Sequence, residues 1–254
     1  MGEAGGAQES CEVGWNYIRI GNRLRKDEQL AVRISLIFFM GKKSKLHKDR
    51  YDVSGNVEAQ YVDSAQTILV NKKGFTRLED LQFAEEAALV RAYESLLGEI
   101  RMTTEMSCKL LAYIHEKIFG ELYEWAGRWR TVNISKPGIT WPPPGFIPQN
   151  MDAFERDVVK QFPASTLSDD DEFCRAVAMI QAEFLVVHPF REGNARTIKL
   201  MTDLLAAQTR RPLLKYDESE GGRSRYVHAA STAFKRDYTP MTEVIRAALA
   251  RSKK

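Results

Sequence analysis

His188-Pro189-Phe190-Arg191-Glu192-Gly193-Asn194-Ala195-Arg196 decides how this chain is read. It follows an apolar run, Phe184-Leu185-Val186-Val187, and precedes a helical-looking one, Thr197 to Leu205. A base, a carboxylate, a glycine, an amide and two guanidinium groups thus share one tight turn. That turn opens a helix, where the first N–H groups lack intrahelical acceptors and are free to hold phosphate. The combination reads as a nucleotide site with a proton acceptor beside it.

Each residue also has a plainer reading. A single histidine at a helix end is most often structural, a lone Glu192 is a solvated charge, and Asn194 is an ordinary helix cap. Pro189 and Phe190 read as turn and core anchor. Gly193 permits positive φ or close approach of a ligand. Arg196 offers a planar fork suited to phosphate oxygens. What outweighs the plainer readings is contiguity: base, carboxylate, anion turn and donor follow one another without interruption. Other chemistries lack their signatures. There is no Gly-Lys-Ser/Thr phosphate loop, Gly-x-Ser-x-Gly elbow, His-Glu-x-x-His pair or Gly-x-Gly-x-x-Gly fingerprint.

Working outward, Phe173, Val177, Ile180, Phe184 and Val187 recur at helical spacing before the motif, behind the acidic start Ser168-Asp169-Asp170-Asp171. After it, Asn194 to Thr209 reads as a helix, and Arg223 to Phe234 and Met241 to Leu249 as two more. Upstream, helices are expected from about Arg77 to Ile100 and from Thr104 to Phe119, with Gly120 as the stop. The first carries stripes at Leu81, Ala84, Ala88, Arg91, Ser95 and at Leu78, Glu85, Leu89, Leu96. Asn150 is expected to cap a helix to Gln161. Arg130 to Ser135 alternates and is β-branched, Lys136-Pro137-Gly138 turns, and Ile139-Thr140-Trp141 returns. The hairpin Thr131 to Phe146 is the one β element expected. The fold class is therefore mainly α, with one β-hairpin.

The bulk numbers agree with a globular protein of 254 residues with 44% apolar content. A net charge of +3 is too balanced for bulk nucleic-acid binding. Three scattered cysteines, Cys11, Cys108 and Cys174, suggest neither a disulfide framework nor a zinc cluster, and fit a reducing, cytoplasmic setting. The run Ile34 to Met40 is about a third of the roughly 20 residues of a spanning helix, so no membrane association is expected. Residues 1–50 read as an N-terminal arm, disordered over the Gly/Ala-rich Met1 to Ser10. Residues 51–77 read as a loop-rich approach segment, and 78–250 as the main domain.

The stretch 188–196 resembles the signature of the Fic family (filamentation induced by cAMP), written His-Pro-Phe-x-Asp/Glu-Gly-Asn-Gly/Lys-Arg. Eight of nine positions agree, counting the free one. Leu122-Tyr123-Glu124-Trp125-Ala126-Gly127 with Arg130-Thr131-Val132 is similar to the family segment leading into its hairpin flap, and Ile114-His115 to Phe119 to the helix before it. The resemblance implies a Fic/Doc-like helical domain that adenylylates a protein hydroxyl using ATP and Mg²⁺. Carried over by position, His188 is the base and Glu192 the metal ligand. Gly193, Asn194 and Ala195 form the anion nest, Arg196 grips the outer phosphates, and Arg191, at the free position, supports them. Ile134, Ser135, Lys136, Gly138, Ile139 and Trp141 belong to the flap that holds the target by strand addition.

Ala195 departs from the family pattern, standing where the adenylylating branch has Gly and the kinase-like Doc branch has Lys. Phosphate, another nucleotide or phosphocholine transfer, and a silent binding module, are the rival readings. Many relatives carry an inhibitory helix, Ser/Thr-x-x-x-Glu-Gly/Asn, whose Glu pairs with the final motif arginine. Ser54 to Glu58 has the spacing but not the ending, and Tyr216 to Gly221 has the ending but not the Ser/Thr. Two alternatives stay open: a separate small antitoxin-like partner supplies that glutamate, as the resemblance to one class of the family implies for toxin–antitoxin pairs, or the enzyme is uninhibited.

Overall fold

The computed structural model describes residues 56–99, 101–136 and 138–253. The N-terminal arm, Ser54, Ile100 and Pro137 lie outside the described residues. The helices are α1 (Leu78–Glu99), α2 (Cys108–Phe119), α3 (Ile147–Asp157), α4 (Asp170–Val187), α5 (Asn194–Gln208), α6 (Glu220–Thr232) and α7 (Thr239–Ser252). The strands β1 (Ser135–Lys136) and β2 (Ile139–Thr140) pair antiparallel, with Ser135 opposite Thr140 and Lys136 opposite Ile139.

Helix α4 is the centre of the domain. The Asp169 side chain caps it, accepting from the N–H groups of Asp171 and Glu172 at 2.6 and 2.9 Å. Phe173, Ala176, Val177, Ile180 and Phe184 are all buried, so it is apolar on nearly every face, and α3, α5, α6 and α7 pack round it. Helix α1 packs on α2 and α5 through Leu81, Ala88, Leu89, Ala92 and Leu96. No helix among the described residues is long and apolar enough to cross a membrane.

Several boundaries differ from the expected ones, each for a local reason. Helix α2 begins at Cys108, not Thr104. Ser107 caps it, and the Gln208 amide takes the carbonyls of Arg101 and Thr104, both at 2.8 Å. Asn150 lies inside α3, which starts at Ile147 with Pro148 in its first turn, where the missing N–H costs nothing. That helix stops at Asp157, and a short 3₁₀ turn, Val159–Gln161, follows. Helices α6 and α7 start earlier than expected, the first capped by Ser219 and the second led by Pro240. The hairpin is much shorter than Thr131 to Phe146. Buried Arg130 takes the carbonyls of Val132 and Pro142 at 2.8 and 2.7 Å, removing acceptors a longer ladder would need.

Candidate active site

His188 ends α4 in the left-handed conformation, φ 52° and ψ 58°, which turns its side chain out of the helical path. Its Nδ1 lies 3.1 Å from the Leu185 carbonyl, so Nδ1 carries the proton and Nε2 keeps the lone pair. The Trp141 indole N–H donates to the same carbonyl at 2.9 Å, and its ring lies 4.2 Å from the imidazole. Burial pushes the His188 pKa down to about 4. The Leu185 carbonyl and Glu192 oppose this, and Lys136 and Arg130 reinforce it. The ring is therefore neutral at pH 7.

Arg130 joins His188 to the hairpin. Its Nε donates to the His188 carbonyl at 2.8 Å and its backbone N–H to the Pro189 carbonyl at 2.8 Å, while its other nitrogens hold both hairpin stems. Burial lowers its pKa to about 10, against the pull of Glu58.

The turn from His188 to Gly193 is braced from inside. The Asn194 side chain accepts from the Phe190 N–H at 2.9 Å and donates to the Phe190 carbonyl at 2.8 Å. The Asn194 side-chain amide, expected at the phosphates, is thus engaged within the loop itself. Gly193 has φ 78°, and a Cβ there would sit 2.2 Å from the Phe119 ring. The Thr197 N–H donates back to the Gly193 carbonyl at 3.0 Å, which leaves the amides of Asn194, Ala195 and Arg196 without intrahelical acceptors. Ala195 is half-buried, its methyl packed against the core.

The two arginines of the motif part company. Arg191 was expected beside the phosphates, but its Nε donates to the Glu58 carbonyl at 2.8 Å and its Nη2 to the Tyr61 hydroxyl at 2.7 Å. It ties the turn to the approach segment. Arg196 stays at the turn, with Nη1 2.9 Å from Glu85 Oε2 and Nη2 3.7 Å from Glu192 Oε1. Its guanidinium lies 4.7 Å from the centre of the Phe119 ring. Burial opposes its charge, but Glu85 and Glu192 hold it above the usual arginine range.

Of the flap residues, Ser135, Lys136 and Gly138 are exposed, and Ile134 and Ile139 are half-buried. Trp141 is a correction. It is buried beneath the hairpin, holding the imidazole, because its indole N–H finds its acceptor in the core.

Three groups escaped the sequence reading. Glu85 sits on a stripe with Leu78, Leu89 and Leu96, and a carboxylate on an apolar stripe was the available signal. His115 is fully buried and stacks on Phe190 at 3.8 Å. It accepts the Gly127 N–H at Nδ1 (2.9 Å), so its Nε2–H donates to the Glu192 carbonyl (3.1 Å). Lys199, one turn beyond Arg196, lies 3.8 and 4.2 Å from the rings of Tyr216 and Tyr226, and burial lowers its pKa to about 7, against Asp203 and Glu218. Tyr216 thus packs with Lys199, and Glu220 opens α6. Glu58, the other inhibitory candidate, accepts the Thr131 N–H at 2.8 Å.

His115 makes a testable contribution to stability. Burial depresses its pKa to about 3, opposed by the Glu192 carbonyl, while the unfolded value is 6.5. Stability should be intact above about pH 6.5 and fall as the pH drops toward 3, because the unfolded chain binds the proton first. His115→Gln should flatten that part of a denaturant-midpoint profile against pH. An unchanged slope would show that other groups carry it.

The fold is thus a helical bundle whose central helix ends in a histidine with an unprotonated Nε2 and whose next helix begins with amides lacking intrahelical acceptors and an arginine. The profile of the Fic/DOC family matches residues 105–206 of this chain. Over 140 residues the chain is 29% identical to the protein adenylyltransferase VbhT of Bartonella schoenbuchensis, covering 55% of this chain and 29% of VbhT. It therefore spans under a third of that relative. It is 27% identical over 133 residues to the probable protein adenylyltransferase y4lH of Sinorhizobium fredii, covering 52% and 68%. The fold is similar to that of the BepC effector of Bartonella tribocorum, solved with AMPPNP. The TM-score is 0.60 at 19% identity, over 76% of this chain and 97% of that one.

Proposed function

We propose that this domain, over residues 78–250, transfers AMP from Mg-ATP to a serine, threonine or tyrosine hydroxyl of a target protein. The observation that carries this reading is the free Nε2 of His188, set by the Leu185 carbonyl, one short turn from the amides that open α5. The target hydroxyl gives its proton to Nε2. Its oxygen bonds to the α-phosphorus as the bond to the bridging oxygen breaks, and pyrophosphate leaves. The amides of Asn194 to Arg196 stabilise charge on the phosphates, and Arg196 takes the outer ones.

Glu192 fits a divalent cation by its chemistry. Its carboxylate is partly exposed beside the anion nest, and no cluster of three or more metal-ligating side chains occurs among the described residues. One carboxylate with phosphates and water is a common way to hold Mg²⁺, which would neutralise phosphate charge there. The exposed edge of the hairpin would hold the target in extended form.

The deciding measurement is label transfer to lysate protein from ATP labelled at the α- or the γ-phosphate. Adenylylation predicts label from the α-position alone. Transfer from the γ-position would show a kinase, and nucleotide binding with no transfer would show a silent binding module.

A further inference from the structure

Glu85 belongs to α1, far in sequence from the turn it serves. Its Oε2 meets Arg196 Nη1 at 2.9 Å, and the Tyr123 hydroxyl donates to its other oxygen. The Arg196 and Glu85 side chains retain only 10% and 4% of their exposure, so water competes little for the pair. Tyr123 is itself buried and stacks on Trp125 at 4.4 Å, so the brace is anchored in the core. Phe119 covers one face of the guanidinium.

A charge so deeply placed has a cost, because burying ions is expensive unless the geometry is good. The α1 position would otherwise suit leucine, as at Leu81 and Leu89. The pair uses only part of the donor set of Arg196, which carries five N–H groups in a rigid fork. A long side chain left unbraced would have to be ordered each time a ligand arrived, and prior ordering raises affinity.

We propose that Glu85, braced by Tyr123, is a positioning residue that holds the Arg196 fork ready for the outer phosphates of the nucleotide. This rests on the reading that Arg196 meets those phosphates. Glu85 itself touches no substrate. The opposite role, a carboxylate competing with phosphate for Arg196, would use the same contact with the opposite sign of effect.

Calorimetric binding of Mg-ATP and AMP separates these roles, using the full chain, Glu85→Gln and Tyr123→Phe, with thermal melts as a check on folding. Glu85→Gln should weaken ATP binding about tenfold, the scale of one charge-assisted hydrogen bond, and leave AMP binding unchanged. Tyr123→Phe keeps the ion pair and the fold, and should weaken ATP binding in the same selective way by about threefold. Tighter ATP binding in either variant would overturn the proposal in favour of restraint. Equal weakening toward ATP and AMP would overturn it in favour of a merely structural part. If the unaltered protein binds ATP no more tightly than AMP, the assignment of Arg196 falls, and the proposal with it. If the unaltered protein prefers ATP and both variants keep that preference in full, the proposal alone falls.

Discussion

His188→Ala should reduce transfer from α-labelled ATP by at least about a hundredfold, the usual span for loss of a general base being 10² to 10⁴. The expectation follows from the tautomer. With Nδ1–H spent on Leu185, Nε2 is the ring atom that can take a proton. The substitution should spare the fold. The φ of 52° is already left-handed for a residue with a Cβ, and the helix-ending bond to Phe184 is made by the backbone. Nucleotide binding should therefore survive while transfer is lost. Labelling at the original rate would reject the base assignment.

The same residue should set the acid limb of the proposed transfer. A base works when unprotonated, and burial holds the folded His188 at about 4, below its ordinary 6.5. Transfer should therefore persist as the pH falls through 6 and decline only toward about 4. A limb centred near 6.5 would mean that bound phosphate, or another group, governs the proton.

Gly193→Ala should be the most damaging single methyl in the domain. Two costs coincide there. A φ of 78° is unfavourable for any L side chain, by about 1–2 kcal/mol. The new Cβ would also stand 2.2 and 2.3 Å from two atoms of the Phe119 ring, and overpacking of this kind costs about 1–3 kcal/mol. Phe119 is fully buried, so it has nowhere to go. The relief available is an outward shift of the start of α5, which moves the free amides and Arg196 together. A denaturant midpoint well below that of the parent and a loss of ATP binding are expected. Phe119→Leu in the same chain should recover some stability by opening space, but not the part due to φ. Full stability and ATP binding in the single variant would show that the turn is not built as tightly as these distances require.

Much of this was legible in the residues. Helical spacing at Phe173, Val177, Ile180 and Phe184 identified the buried helix before the motif, because a 3.6-residue period and burial are the same fact seen twice. Positions that depend on partners far along the chain were not legible. Asn194 and Arg191 carry the right chemistry for phosphate, yet one is consumed by Phe190 and the other by Glu58 and Tyr61. Trp141 read as a flap residue because it ends the returning strand Ile139-Thr140-Trp141, and its acceptor at Leu185 lies 44 residues away.

The chain by itself determined the order of helices and the nine-residue turn with its base, carboxylate and glycine, since these depend on residues within a few turns of one another. Tertiary structure alone decided which nitrogen of His188 is free, which arginine faces the site, and that Glu85 on α1 stands against Arg196. Those outcomes turn on hydrogen bonds between distant segments. A local pattern can supply a donor or an acceptor, but it cannot say which partner packing will bring within 3 Å.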